Sequence, residues 1–178
     1  MPDHAPMLPN LLIAGVTKAG TTSLFAYLAQ HPQICAASSK DINYFSPLRR
    51  GEPVTQPLSV HDQYFSHCDG RIYRLDASPD YFNGDKPVVD AVHDQYPGVK
   101  IIMILRDPVR RLWSSFKYRK SLGRLDSATT FDEFFDDCLE SYHLERYGTA
   151  DYEHHRTLPL ARYAEHLALW FDAFGDDV

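Results

Sequence analysis

The stretch that decides the fold reads Leu11-Leu-Ile-Ala-Gly-Val-Thr-Lys-Ala-Gly-Thr-Thr-Ser23. Its apolar first half, from Leu11 to Val16, predicts a strand that is covered on both faces of a sheet. The residues from Thr22 to Gln30 have the composition of a helix that starts directly after the strand. A buried strand that runs through a glycine-containing turn into a helix predicts an α/β fold with a parallel sheet.

The turn from Gly15 to Gly20 is predicted to bind a phosphate group. N–H groups at a helix N-terminus point outward, and the helix dipole places roughly half a positive charge there. The two glycines let an anion approach the main chain, and Lys18 adds a full positive charge. The alternative is that the glycines only allow the backbone to turn and that no ligand binds. Three hydroxyl donors follow the turn, at Thr21, Thr22 and Ser23.

The spacing of this turn differs from that of a nucleotide-hydrolysing P-loop, which reads G-x-x-x-x-G-K-[ST]. In Gly15-Val-Thr-Lys-Ala-Gly20-Thr-Thr, the lysine lies inside the loop and a threonine follows the second glycine. This position of the lysine argues against ordinary hydrolysis of nucleoside triphosphates.

A second apolar run, from Val99 to Leu105, predicts another buried strand. Arg106 follows at the carboxyl end of that strand. Pro108 is well placed in the first turn of a helix that is predicted to continue to about Arg119 and to include Ser114.

Ligands of open α/β sheets bind beyond the carboxyl ends of the parallel strands. The loops around Lys18 and Arg106 are therefore expected to open on the same side of the sheet. The alternative is that Arg106 and Asp107 form an ion pair that only holds the turn.

With both loops, the chain resembles the sulfotransferases that use phosphoadenosine phosphosulfate, PAPS. Arg106 and Ser114 match the pair of that family that binds the 3′-phosphate. The segments 40–45 (KDINYF) and 76–82 (DASPDYF) resemble elements of the heparan-sulfate-type and related bacterial enzymes, and 160–174 resembles the helix that follows. The match to the family's loop for the 5′-phosphosulfate consists of Lys18, Ala19, Gly20, Thr21, Thr22 and Ser23.

This resemblance implies an α/β, P-loop-like three-layer sandwich, with a central parallel sheet flanked by helices, as a single domain over residues 1–178. It implies transfer of a sulfonate group from PAPS to a hydroxyl or amine of a small-molecule or carbohydrate acceptor. Lys18 and the loop amides would stabilise the charge of the leaving phosphate. Arg106 and Ser114 would select PAPS over ATP, because the 3′-phosphate distinguishes the two nucleotides. The scheme requires no metal, and none is assigned.

Asp41 is the candidate general base, because the resemblance places a glutamate at this position. The aspartate is one methylene shorter, and a misplacement of about 1 Å can cost on the order of a hundredfold in rate. Asn43 stands where a histidine is common in relatives, and Ala77 where some carry a lysine. These differences predict a retuned or weakened active site. The alternative is an ordinary loop aspartate paired with Lys40.

The composition is that of a globular enzyme. The chain has 178 residues, of which 44% are hydrophobic and 24% charged, so it can bury one sizeable core. The net charge of −6 argues against a general nucleic-acid binder. One basic group is expected either to form a solvated face or to bind the cofactor or an anionic acceptor: Arg110, Arg111, Lys117, Arg119, Lys120 and Arg124.

The N-terminal sequence, MPDHAPMLPN, has neither the basic region nor the apolar run of a signal peptide or anchor. No later segment approaches the roughly 20 apolar residues that a membrane span needs. The expectation is therefore a cytoplasmic protein without a membrane span. Cys35, Cys68 and Cys138 are far apart and form no C-x-x-C pair, so we expect reduced thiols.

Four further segments carry local predictions. Residues 46–60 are expected to be an irregular loop, 87–96 a short helix, and 144–157 an acceptor loop. Thr130-Phe-Asp-Glu133 predicts a capping box. That box would open a helix whose apolar stripe is Phe131, Phe134, Phe135 and Leu139.

The last helix, predicted from Leu158 to Phe174, and the turn after it normally lead into another strand. The resemblance implies that strand and a later basic loop over the nucleotide, and neither follows here. The domain is therefore expected to be incomplete at its C-terminus. An open apolar edge, which includes the last helix with Tyr163, Leu167, Trp170 and Phe174, would then favour self-association.

Two alternatives to a sulfotransferase remain at the level of the sequence. A P-loop-type small-molecule kinase shares the order of strand, loop and helix. It is disfavoured because the G-K-[ST] element and a clear strand ending in a magnesium-binding aspartate are missing. The other alternative is a truncated, non-catalytic nucleotide-binding module.

Overall fold

The structure, a computed structural model, describes residues 5–143, 157–175 and 178. Within these residues a parallel sheet contains four strands in the order β2-β3-β1-β4. The strands are β1 (Leu11–Gly15), β2 (Ile34–Ala36), β3 (Tyr73–Ala77) and β4 (Lys100–Met103). The predicted α/β fold with a central parallel sheet is confirmed.

Helices flank the sheet and connect its strands. Four short 3-10 helices accompany them: Ser46–Arg50, Leu58–His61, Pro79–Asn83 and Pro159–Ala161. The first lies within residues 46–60 and the second begins there, so the irregular loop expected in this segment is partly regular. The α-helices of the described residues are α1 (Thr21–Leu28), α2 (Asp62–Phe65), α3 (Asp85–Gln95), α4 (Pro108–Ser121), α5 (Phe131–His143) and α6 (Tyr163–Phe174).

All five residues of β1 are buried, and they alternate between the two faces of the sheet. Leu11 and Ile13 pack with Leu24 and Phe25 of α1. Leu12 and Ala14 belong to a larger apolar cluster on the other face, which includes residues of α3 and α6. This alternation produces three layers, because side chains of one strand point alternately to opposite faces.

The chain divides into two compact units, residues 1–105 with 166–178 and residues 106–165. In the second unit, Leu112 and Phe116 of α4 pack against Phe134 and Cys138 of α5. The predicted capping box is confirmed: the N–H of Thr130 donates to the Glu133 carboxylate at 2.7 Å, and the N–H of Glu133 donates to Thr130 Oγ1 at 3.3 Å.

The basic group around α4 is not a uniformly solvated face. Arg111 and Arg119 are buried, and both donate hydrogen bonds to Thr157. They are spaced eight residues apart on one side of α4, and this side faces the interior of the second unit. The sequence could not show this, since the burial depends on Thr157, which is distant along the chain.

The last helix does not leave its apolar face open. Trp170 is fully buried, and its indole N–H donates to the carbonyl oxygen of Phe82 at 3.4 Å. Phe174 stacks on Trp170, with ring centroids 5.5 Å apart. The self-association expected from this face therefore has no support in the packing of these two residues.

Cys35 and Cys68 form a disulfide, with Cα atoms 5.7 Å apart, so the expectation of three reduced thiols is wrong. The bond connects β2 to the residue that lies three positions after α2. No sequence motif indicates this pairing, because the two cysteines are 33 residues apart and only the tertiary fold brings their side chains together. Cys138 is a buried free cysteine, and burial raises the pKa of its thiol to about 11.

In the part of the chain that the structure describes, no helix is both long and apolar enough to cross a bilayer. Residues 144–156 of the predicted acceptor loop lie outside the described residues.

Candidate active site

The loop between β1 and α1 presents backbone N–H groups at one point. The first hydrogen bond within α1 runs from the N–H of Leu24 to the carbonyl oxygen of Gly20, at 3.0 Å. The N–H groups of the three residues before Leu24 have no acceptor inside the helix, and they point beyond its N-terminus. Thr22 and Ser23 are exposed there, whereas Thr21 is buried. This geometry suits an anion.

The two glycines of the loop serve different purposes. A Cβ atom at Gly15 would lie 2.4 Å from Cβ of Phe82, so this position must be glycine for packing rather than for the approach of an anion. Gly20 adopts a left-handed conformation, with φ 106°, as the N-cap of α1. The loop is also fixed to the chain after β4, because the N–H of Val16 donates to the carbonyl oxygen of Ile104 at 3.0 Å.

Three residues of this site have a positive backbone φ, which residues other than glycine rarely adopt. The angle is 66° at Lys18, 63° at Asp41 and 53° at Asn43. Such conformations cost of order 1–3 kcal/mol each and persist only where the surrounding structure fixes them. They cluster at active sites in proteins generally. Among the described residues, only one other non-glycine position, Asp85, shares this feature.

The 40–45 segment is fixed to the carboxyl end of β3 by three hydrogen bonds. The N–H of Asp41 donates to the carbonyl oxygen of Ala77 at 3.0 Å. The N–H of Asn43 donates to Ser78 Oγ at 2.9 Å, and that of Phe45 donates to the Tyr81 hydroxyl at 3.0 Å. Because β3 lies beside β1 in the parallel sheet, Asp41 and the β1–α1 loop lie at the same edge of the sheet.

The carboxylate of Asp41 is paired with the ammonium group of Lys40, at 2.5 Å. This ion pair is also what the alternative interpretation predicts, in which Asp41 is an ordinary loop aspartate paired with Lys40. The Asp41 side chain is nevertheless 47% exposed, and it remains accessible to a molecule that arrives from solvent.

Asp76 is a fully buried carboxyl group near the end of β3. The pKa of Asp76 is raised to about 7, mainly by burial and to a smaller extent by the charge of Asp41. Hydrogen bonding from Ser78 and from the backbone N–H groups of Ala77 and Ile42 acts in the opposite direction. Ser78 Oγ donates to Asp76 Oδ2 at 2.8 Å.

Arg106 and Ser114 lie in the second compact unit. Arg106 is exposed, and its carbonyl oxygen accepts a hydrogen bond from the Tyr163 hydroxyl at 2.9 Å. Asp107 caps α4, since its Oδ1 accepts from the N–H of Arg110 at 2.9 Å. The helix predicted from Pro108 is thus confirmed, and the Asp107 side chain serves as its cap. Ser114 is half-buried on α4.

One group of side chains has the composition of a metal site: Cys35, His67 and Cys68, whose ligand atoms lie within 4.8 Å of one another. The two sulfur atoms are bonded to each other as a disulfide, so they do not offer thiolate ligands in this state. His67 Nε2 lies 3.1 Å from the carbonyl oxygen of Ala36. The group is accounted for as a disulfide with an adjacent imidazole.

The architecture places the chain among the α/β proteins that have a parallel sheet and a glycine-containing turn between the first strand and the helix after it. The particular family follows from comparison with known proteins. Residues 8–177 match the family model described as a sulfotransferase domain, and the chain belongs to this family.

Several relatives support the assignment. The chain is 31% identical over 111 residues to a membrane-associated sulfotransferase of Dictyostelium discoideum, over 62% of this chain and 23% of the relative. It is 27% identical over 176 residues to a bifunctional heparan sulfate N-deacetylase/N-sulfotransferase of Caenorhabditis briggsae, over 94% of this chain and 19% of the relative. The chain thus spans about a fifth to a quarter of the length of these two relatives.

A solved structure shows the same fold. It is a sulfotransferase from Alicyclobacillus acidocaldarius, which superimposes with a TM-score of 0.79 at 25% sequence identity. The match covers 95% of this chain and 70% of the solved chain. The P-loop-like architecture inferred from the sequence is therefore confirmed.

Asp76 and Ser78 have no predicted role, although both lie in the 76–82 segment that carries part of the resemblance. No local signal marks Asp76, because β3 also contains the charged Arg74 and only the last three residues of the strand are buried.

Proposed function

We propose that this chain is the catalytic domain, or a portion of it, of a PAPS-dependent sulfotransferase. It would transfer a sulfonate group to a hydroxyl or amine of a carbohydrate or small-molecule acceptor. One observation carries the proposal: Lys18 lies in the turn directly before the N-terminus of α1, in a chain that belongs to the sulfotransferase family.

PAPS, when bound, supplies a sulfonate group attached to a nucleotide phosphate, which is the leaving group. The β1–α1 loop would bind that phosphate through the N–H groups at the start of α1 and through Lys18. Preorganised donors of this kind stabilise charge that develops in the transition state, and one donor typically contributes about 3–4 kcal/mol. The hydroxyl groups of Thr22 and Ser23 are exposed and available as further donors.

Arg106 and Ser114 are proposed to bind the 3′-phosphate, as the resemblance to the family implies. A guanidinium group suits this task because it is always charged and can donate two parallel hydrogen bonds to one phosphate. This assignment would make the two residues responsible for the choice of PAPS over ATP.

Asp41 is proposed to accept the proton of the acceptor hydroxyl. Its exposure permits the approach of an acceptor, and its hydrogen bond to the end of β3 fixes its backbone. The adjacent Lys40 ammonium would hold the carboxylate in place before the acceptor arrives. Several curated relatives carry names that specify heparan sulfate or carbohydrate as the acceptor, which favours a carbohydrate acceptor here.

The disulfide bears on where the protein works. Structural disulfides are typical of oxidising compartments and rare in the cytoplasm. The Cys35–Cys68 bond removes reduced cysteines as an argument for a cytoplasmic location.

Calorimetry with adenosine 3′,5′-bisphosphate, the product of the donor, tests the proposal. We expect the bisphosphate to bind more tightly than ATP or GTP. Arg106→Ala should weaken the binding of the bisphosphate by about 1.5–3 kcal/mol, which is the range of a charge-assisted hydrogen bond. The binding of adenosine 5′-phosphosulfate should change little. Lys117→Ala, which removes an exposed cation from α4, the helix that follows Arg106, is the control.

Three results would count against the proposal. Equal losses for the two ligands in Arg106→Ala would show that this residue does not recognise the 3′-phosphate. Tighter binding of ATP than of the bisphosphate would favour a kinase. Bisphosphate binding without transfer of radiolabelled sulfonate to any glycan, phenol or amine acceptor would indicate a non-catalytic nucleotide-binding module.

A further inference from the structure

Asp76 occupies an unusual place for a carboxyl group. It lies opposite Leu12 of β1 in the sheet, and Leu12 belongs to the large apolar cluster that contains Phe45, Tyr81 and Tyr96. Asp76 itself has no exposed surface, and its Oδ1 makes no hydrogen bond with the described residues. Burying such a group disfavours folding unless it is fully satisfied, so a requirement other than stability must explain its presence.

The hydrogen bonds of Asp76 lead to the candidate base. Ser78 is buried, and its Oγ accepts from the N–H of Asn43 while donating to Asp76 Oδ2. Because an ionised carboxylate can only accept a hydrogen bond and the N–H of Asn43 can only donate one, the hydroxyl proton of Ser78 is directed at Asp76. The N–H of Asp41 is bound to the end of the same strand. Residues 41 and 43 are thus fixed on either side of Ile42.

The backbone that this connection fixes is strained. Asp41 and Asn43 both have positive φ, and a chain of this kind relaxes unless tertiary contacts prevent it. Asn43 is held by a bond to Ser78 that is itself oriented by Asp76. Loss of this support would let the segment change conformation and turn the Asp41 carboxylate away from its present direction.

We propose that Asp76 is a positioning residue of this site, which acts through Ser78 to fix the backbone at Asn43 and thereby the direction of the Asp41 carboxylate. The proposal rests on the proposed function, because it takes Asp41 as the base. The ionised form of Asp76 would be the effective one, since hydrogen bonds to a charged acceptor are shorter and roughly twice as strong.

The charged and titratable groups that face Asp76 are Asp41, Tyr81 and Tyr96. Burial raises the pKa of both tyrosines above its ordinary value, so both stay neutral in the range that matters here. The pKa of Asp76 rises from an ordinary 3.8 to about 7, with burial as the main cause. Asp76 is therefore the group expected to titrate near neutral pH in this cluster.

The two consequences of that titration run in opposite directions. Between pH 4 and 7 the folded chain holds a proton on Asp76 that the unfolded chain has lost, so stability falls as pH rises through this window. Turnover should rise as pH passes through 7, because the ionised carboxylate holds the segment more firmly. Activity and stability are thus expected to change oppositely with pH.

The test uses Asp76→Asn and Ser78→Ala, with Asp94→Asn as a control that makes the same change at an exposed position of α3. Turnover is measured without a natural acceptor. Water takes the sulfonate of PAPS, and inorganic sulfate, adenosine 3′,5′-bisphosphate and a proton are released. We expect Asp76→Asn to lower kcat about tenfold at pH 8, with bisphosphate affinity within about twofold of the wild type. At pH 8 the melting temperature of Asp76→Asn should be higher than that of the wild type. Between pH 4 and 7 it should not show the decline that is expected of the wild type.

A merely structural role would not produce this combination, because loss of a structural contact lowers the melting temperature and the rate together. A double-mutant cycle sharpens the test: in an Asp41→Asn background, Asp76→Asn should cause no further loss of kcat. Two results would overturn the proposal. One is a double variant in which the kcat losses of Asp41→Asn and Asp76→Asn multiply, and the other is a kcat of Asp76→Asn equal to that of the wild type.

Hydrogen exchange distinguishes failure of this proposal from failure of the proposed function. If the wild-type chain transfers no sulfonate to water or to any glycan, phenol or amine acceptor, the proposed function fails. Exchange at the N–H of Asn43 then decides the inference. Faster exchange in both Asp76→Asn and Ser78→Ala, but not in Asp94→Asn, would support the positioning role, and unchanged exchange would overturn it.

Discussion

The β1–α1 loop and the 40–45 segment lie at the same edge of the sheet, but they are built differently. The loop is formed by consecutive residues between a strand and a helix, with Lys18 at its centre. The 40–45 segment follows no helix or strand directly, and it is held by Ala77, Ser78 and Tyr81, about 35 residues further along the chain. A local motif thus presents the groups that are proposed to bind the anion, whereas long-range hydrogen bonds hold the backbone of the candidate base.

This difference has a consequence for the effects of mutation. A change in the loop should act mainly on the chemistry, because the strand and helix on either side hold its shape. A change in the contacts of the 40–45 segment should act first on stability or conformation, and only then on chemistry.

The largest expected effect tests the loop. Lys18→Ala should lower the rate of sulfonate transfer by about two to three orders of magnitude, because the lysine stabilises charge that develops only in the transition state. Bisphosphate affinity should fall much less. Single-turnover kinetics with PAPS and calorimetry separate the two effects, and Lys86→Ala, an exposed lysine on α3, is the control. Equal losses in rate and in affinity would contradict this role.

The next effect tests a long-range contact outside the 40–45 segment, the bond between β2 and the residues after α2. Loss of the Cys35–Cys68 disulfide should lower the free energy of unfolding by about 3–4 kcal/mol, as expected for a closed loop of this length. Chemical denaturation with and without a reductant measures the change. In a Cys35→Ala/Cys68→Ala variant the reductant should have no effect. An unchanged wild-type midpoint on reduction would show that the disulfide does not stabilise the fold.

A smaller effect is expected at Gly15, where loop and core meet. Gly15→Ala should destabilise the protein by about 1–3 kcal/mol, because the new methyl group overlaps the side chain of Phe82. Gly51→Ala is the comparison: its Cβ meets no atom within 4 Å, and only its positive φ opposes the change. If thermal denaturation shows equal losses, packing against Phe82 is not what requires glycine at position 15.

The smallest effect concerns a purely local feature, the capping box at the start of α5. Thr130→Ala should lower stability by about 1 kcal/mol, because the N–H of Glu133 loses its acceptor. Ser127→Ala, an exposed serine before the box, should have almost no effect. A loss in Thr130→Ala no greater than that in Ser127→Ala, measured by urea denaturation, would mean that the box does not stabilise the helix.

Features that depend on neighbouring residues could be predicted from the sequence. The apolar run from Leu11 predicted β1, Pro108 predicted the start of α4, and Thr130 with Glu133 predicted the capping box. The resemblance to the family was also visible in the sequence, because the loop around Lys18, the segments 40–45 and 76–82, and Arg106 with Ser114 follow one another as they do in the family.

Features that join distant parts of the chain became visible only in the fold. The Cys35–Cys68 disulfide, the burial of Arg111 against Thr157 and the burial of Asp76 have no local signature. The physical reason is the same in each case. Burial and pairing depend on which residues the fold brings together, and a pattern of adjacent side chains contains no information about partners 30 or more residues away.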